Sequence, residues 1–195
     1  MNLIMTVGEK TRFAIESFSS QTYARLSFRA LGYFVLYIDG HRYGKYSPDA
    51  TMLACSFDEV QRRIAWCGKH VTPFAKEEAG KIATAFGDAI YARSPQADIY
   101  FGISQEDFKT IIYKKHIAWA PDGDKAFDDG SFVLQFDVLN QVRLIAFRFL
   151  DRSACPDPLT LREVWMESDV FYDVLKQWAE AFEAEWALSE KLRDK

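Results

Sequence analysis

With 195 residues, 49% hydrophobic and 27% charged, the chain has the size and composition of one ordinary globular domain. A chain of that length buries about 70% of its unfolded surface, so it needs no disulfide or metal to stand. A formal net charge of −4, from 24 basic and 28 acidic residues, excludes the basic stripe that nucleic acid or an anionic membrane requires.

Alternation over residues 12–18 and 23–30 predicts two strands, and the aromatic and β-branched run at 33–38 predicts a third. Asp39 and Gly40 then form a tight hairpin turn, and residues 41–43 begin the return strand. Ser56, Phe57, Asp58 and Glu59 match a capping box. A helix is therefore expected to open at Ser56, bury Phe57, Val60 and Ile64, and stop near Gly68. A second helix is predicted over 75–92 on Ala79, Ile82, Ala83, Phe86 and Ile90. Its internal Gly80 and Gly87 either weaken it by about 1 kcal/mol each or let it pack closely on a neighbour.

A short strand at 98–103 precedes a helix opened by Ser104, which carries Phe108, Ile111 and Ile112. Residues 116–119 read as extended, and the chain turns at Pro121 into an acidic loop of Asp122, Gly123, Asp124, Asp128, Asp129 and Gly130. Residues 131–138 alternate, predicting Phe132, Leu134, Phe136 and Val138 inward and Gln135 and Asp137 outward; 142–150 pairs back as a hairpin. A loop at 151–158 and a strand at 162–166 follow. The last helix starts at Ser168 or Asp169, with Phe171, Val174, Leu175, Trp178, Phe182 and Trp186 on its apolar face. Hairpins interrupted by helices predict an α+β fold: mostly antiparallel sheet, three to four helices, a long C-terminal amphipathic helix, and a single domain over 1–195.

Three cysteines, Cys55, Cys67 and Cys155, form no C-x-x-C pair and are odd in number, so they are expected as buried or half-buried thiols in a reducing compartment. His41, His70 and His116 lie at non-ligand spacings, and His116 reads as a packed histidine rather than a base. No apolar run reaches 18 residues and residues 1–10 lack a secretory pattern, which predicts a cytoplasmic protein. No phosphate loop, nucleophile elbow or H-E-x-x-H helix occurs. Counted from Asp122 as a calcium loop, position five is Ala126, six is Phe127 and twelve is Val133, and the match fails. The acidic loop therefore has three readings: a solvated turn, a protein-docking surface, or a Mg²⁺ site using Asp122 with Asp128 or Asp129.

The segments LGYFVLYIDGHRYG at 31–44, DATMLACS at 49–56, WAPDGDKAFDDGS at 119–131 and LREVW at 161–165 resemble the immunity protein 42 family of bacterial polymorphic toxin systems. The resemblance implies a protein that binds the toxic domain of a cognate toxin and blocks it, with no catalysis and no cofactor. It carries no contact residues with it. On this reading Trp119, Asp122, Asp124, Asp128 and Asp129 form part of the toxin-facing surface, suited to a basic nuclease domain, and the protein is a monomer or homodimer. The rival reading is a small metal-dependent hydrolase using the carboxylates between 122 and 129.

Overall fold

The turn residues and β-prone runs shape a computed structural model that describes residues 4–119, 125–150 and 154–192. Strands β1 (Ile4–Glu9), β2 (Phe13–Thr22), β3 (Ala30–Ile38) and β4 (His41–Tyr43) lie side by side in chain order, all antiparallel. β5 (Thr51–Met52) adds to the far end of β3. Asp39 at φ 50° and Gly40 at φ 75° supply the two left-handed positions of the β3–β4 turn. The predicted strand over 23–30 is instead a connection. The Arg25 carbonyl accepts from the Phe28 and Arg29 amides, Arg29 turns to φ 51°, and Tyr23 N donates to Arg29 O at 2.8 Å.

Helix α1 (Leu53–Ala65) starts three residues before the expected cap. Ser56 and Glu59 are buried, and Glu59 turns to Arg63 rather than back to the first amides, so the capping box is a pattern match without the contact. α2 (Ala79–Phe86) runs into a π-helical turn at Gly87–Tyr91, ending one residue short of the predicted helix. Gly87 is there for close packing: any Cβ would overlap the Ala154 carbonyl. Strands β6 (Ile99–Tyr100) and β7 (Ile103–Ser104) form a small hairpin where one strand was expected, turned by Phe101 at φ 51° and Gly102 at φ 80°. Ser104 caps α3 (Gln105–Lys114) as predicted, its Oγ accepting from Asp107 N at 3.1 Å.

β8 (Ser131–Val138), β9 (Gln141–Arg148) and β10 (Arg162–Glu167) form a second antiparallel sheet in the order β10-β9-β8, and α4 (Ser168–Leu188) closes the fold. The fold is α+β, with four α-helices among the described residues. This second sheet is buried on both faces. Val133, Val142, Leu144 and Ala146 join one hydrophobic cluster with α1, α4 and the inner face of the first sheet. Leu134, Phe136, Ile145 and Phe147 join another with α2 and α3. Gln135 and Asp137, expected to look outward, are therefore interior: a period-two pattern identifies two faces but not which of them meets solvent.

What Gln135 and Asp137 meet is a buried polar network. Arg63, 1% exposed, donates from Nε to Glu59 (2.8 Å), from Nη1 to Gln135 Oε1 (2.9 Å) and from Nη2 to the Ala118 carbonyl (2.7 Å). Gln135 Nε2 donates to the Tyr172 hydroxyl at 2.9 Å, and that hydroxyl donates to Asp137 at 2.9 Å. Asp137 also accepts from the His70 amide at 3.0 Å. The network thus ties α1, the 116–119 segment, β8 and α4.

Removing one member leaves a buried charge without its partner. Arg63→Ala is expected to cost about 3 to 5 kcal/mol, read as a fall in the urea midpoint, whereas the apolar pair Arg63→Met with Glu59→Leu recovers most of that loss. His70 is fully buried. Its Nδ1 lies 2.8 Å from the Lys115 carbonyl, so that nitrogen carries the hydrogen and Nε2 is the unprotonated one. Burial first, and the Arg63 charge second, hold its pKa below the ordinary value. The unfolded chain then binds the proton that the folded one refuses. The contribution of His70 to stability is full above a pH of about 6.5 and falls as the pH drops below it, with a limiting slope of about 1.4 kcal/mol per pH unit. Melting temperature against pH should show that decline in the native protein and a shallower one in His70→Gln.

Candidate docking surface

The acidic loop is framed by β8. Trp119 N donates to Val133 O at 2.9 Å and Gln135 N to Ile117 O at 2.8 Å, which holds the 117–119 segment against that strand. The consequence for Trp119 is burial. At 4% exposure it packs beside Phe34, with the Arg63 guanidinium 4.3 Å over its ring. Sequence placed Trp119 on the surface; the structure places it beneath the loop, as a support. Asp122 and Asp124 lie outside the described residues.

The rest of the loop begins with a 3₁₀ turn at Lys125–Phe127. Ala126 is buried and its carbonyl accepts from Lys45 N at 2.6 Å, which seats the loop beside the β3–β4 hairpin. Asp129 is committed internally: one oxygen accepts from Ser131 N at 3.1 Å, the other lies 3.3 Å from Arg148 Nη2. Arg148 also donates to the Arg42 carbonyl at 2.7 Å. Asp128 is exposed, and its carboxylate makes no hydrogen bond or ion pair among the described residues. Of the three nominated residues that are described, the structure thus brings Asp128 and Asp129 together on one turn, and Asp128 is the one whose carboxylate has no protein partner among the described residues.

The groups able to do chemistry are placed unfavourably for it. Among the described residues, no three His, Cys, Asp or Glu side chains converge as metal ligands. All three cysteines are exposed rather than buried, because Cys55 lies on the outer side of α1 and Cys67 and Cys155 lie in connections. Partial burial and the nearby Asp137 raise the Cys67 thiol pKa, the reverse of an activated nucleophile. His116 packs edge-on against Trp66, ring centroids 4.7 Å apart, with its pKa lowered by burial. An open groove of about 1020 Å³ lies beside the π-helical turn, lined in part by Lys81, Asp88, Tyr91, Arg93 and Ile99. Its central acid is occupied, since Asp88 accepts from the Tyr100 hydroxyl at 2.6 Å and from Gln96 N at 3.0 Å.

Sequence reasoning passed over one small cluster, in which Ala14, Glu16, Tyr33 and Val35 are buried and Phe18 and Tyr37 half-buried. On β2 and β3 the residues Ala14, Glu16, Phe18, Tyr33, Val35 and Tyr37 face away from α1 and α4, opposite the Phe34 and Leu36 side that joins the main core. The signal was present: β3 is apolar or aromatic at every position of both faces, unlike a strand with one wet side.

No helix among the described residues is long and apolar enough to cross a membrane. No curated protein sequence matches the chain. Among solved structures, CdiI from Burkholderia dolosa shares the fold, with a TM-score of 0.55 at 13% identity over 91% of this chain and 99% of that one. The profile of a family described as immunity protein 42 matches residues 5–181. Nearly the whole described fold falls within that match, and the chain belongs to the immunity protein 42 family.

Proposed function

We propose that the protein protects a bacterial cell by binding the toxic domain of a cognate polymorphic toxin and occluding it, acting in the cytoplasm and carrying out no reaction of its own. The observation that carries this reading is the family match over residues 5–181. The geometry supports it. Glu59, His70, Asp137 and Tyr172 are buried and bonded within the protein, while charged side chains such as Arg42 and Asp128 lie on the outer surface. Such a frame suits binding, because side chains already fixed by packing lose little freedom on association.

The acidic loop remains part of the proposed surface, in a reduced form. Asp128, with Asp122 and Asp124, supplies carboxylates for a basic element of the toxin, such as the cleft of a nuclease domain. Asp129 and Trp119 serve by holding the loop.

Expression of the toxin domain encoded beside this gene should kill cells, and co-expression of this protein should restore growth and yield a stable complex on gel filtration. Failure of both would end the reading. Replacing Asp122, Asp124 and Asp128 together by alanine is expected to weaken neutralisation at least tenfold with an unchanged melting temperature. Asp129→Ala should instead lower stability by about 1 kcal/mol, since its carboxylate satisfies the Ser131 amide. Addition of Mg²⁺, Mn²⁺ or Ca²⁺ should leave the melting temperature unmoved; a rise that saturates with concentration would favour the metal-dependent alternative.

A further inference from the structure

A sheet edge is a row of backbone amides and carbonyls that a further strand can satisfy, and proteins shield such rows with short strands, charges, bulges or covering chain. Most edges of the two larger sheets are shielded in these ways. β4 is three residues long. β8 is covered by other chain: its Val133 carbonyl accepts from Trp119 N, while Gln135 N and Asp137 N donate to the Ile117 and His70 carbonyls. β10 carries Arg162, Glu163 and Glu167, and Arg12 donates to its Trp165 carbonyl at 3.5 Å.

β1 is the exception. It is six residues long and pairs with β2 in an unbroken register from Ile4 to Glu9. Among the described residues it makes no backbone hydrogen bond on its other side. In an antiparallel strand alternate residues turn both amide and carbonyl away from the first neighbour, so about half of these groups face outward. β1 holds no proline and no lysine, and residues 4–7, ahead of Gly8 at φ 93°, are uncharged. The group that fits such a row is another extended polypeptide.

The side chains of β1 match themselves. Met5 and Val7 are half-buried against the main core, while Ile4 and Thr6 are exposed on the other face. Two copies related by a two-fold axis normal to the sheet place inner residues opposite inner ones and outer opposite outer. Met5 and Val7 then cover the same residues of the copy, Ile4 and Thr6 meet outside, and within residues 4–7 no charge faces a like charge. At the end of the strand lies a groove of about 300 Å³, lined in part by Phe13, Val170 and Val174, and Val170 is 46% exposed. Arg12 lines it together with Glu9 and Asp173, so a copy brings both signs of charge to the seam. A second copy satisfies the edge with no other partner present.

We propose that two copies of this chain pair β1 against β1 across a two-fold axis, joining their first sheets into one continuous antiparallel sheet. The pairing uses no residue of the acidic loop, so it stands or falls separately from the proposed function.

Sedimentation velocity of the purified full chain should show a dimer that dissociates on dilution, and hydrogen exchange in residues 4–7 should slow as the dimer forms. Ile4→Lys with Thr6→Lys puts two cations on the exposed face of the edge. This double variant should raise the dimer dissociation constant at least tenfold while leaving the circular-dichroism spectrum unchanged. Leu139→Lys, at the β8–β9 turn and 93% exposed, should leave the constant within twofold of native. If the double variant alters the spectrum, Ile4→Lys decides alone, its side chain being 56% exposed. A dimer that the lysines leave within twofold of native would overturn the pairing, as would a native protein that stays monomeric at every soluble concentration. A native monomer whose binding to the toxin domain encoded beside its gene is lost in the double variant would assign the edge to a strand of the toxin and overturn the second copy.

Discussion

Arg63 is a fully buried cation, and the arrangement of the fold depends on how its charge is satisfied. Burying an ion costs several kcal/mol even after the protein relaxes, so every donor must find an acceptor. Glu59 supplies the counter-charge from the same helix, while Gln135 and the Ala118 carbonyl come from two different segments of chain. The Trp119 ring covers the guanidinium. Through Gln135 and Asp137 the same network reaches Tyr172 on α4. Apolar surfaces alone would let these elements slide against one another, since burial is not directional. The hydrogen bonds admit one register. On that argument their contribution is expected to be specificity of arrangement more than net stability, which the Arg63→Met with Glu59→Leu pair tests.

That use of polar groups bears on function. Glu59, His70, Asp137 and Tyr172 would be plausible catalytic residues by type, yet each is buried and bonded to protein. Tyr172 lies against Asp137, and with burial as the larger cause its hydroxyl is held well above the ordinary phenol range, as a donor rather than a base. These four side chains serve the architecture of the interior. A second buried arginine follows the same logic: Arg143 donates to the Ala75 and Glu77 carbonyls at 2.7 Å each and pairs with Glu163 at 2.8 Å, fastening the chain ahead of α2 to β9 and β10.

The outer surface is a mosaic rather than a field of one sign. In the turn at 125–130 Asp129 is neutralised by Arg148, and the neighbouring hairpin carries Arg42 and Lys45. Under the proposed function, simple attraction between an acidic loop and a basic partner would describe only part of this. Interspersed charges over fixed aromatic rings favour one orientation and penalise others, which is how a binder separates its partner from similar proteins.

Local sequence determined the elements whose cause is local. The Asp39-Gly40 turn, the Ser104 cap, the β8–β9 hairpin and the apolar stripe of α4 are each decided by residues within a few positions of one another. The family could be recognised from the same short segments, and with it the α+β class. Tertiary structure decided everything that turns on what lies opposite a residue. Glu59 matched a capping box but is claimed by Arg63, and Gln135 and Asp137 alternate like exposed residues yet face a second layer. Trp119 reads as a surface anchor and is core, because β8 draws its segment inward. Alternation marks the two faces of a strand. Which face is wet depends on elements far away in the chain, and so the aromatic cluster on the helix-free side of β2 and β3 became visible only once both helices were seen to pack on the other side.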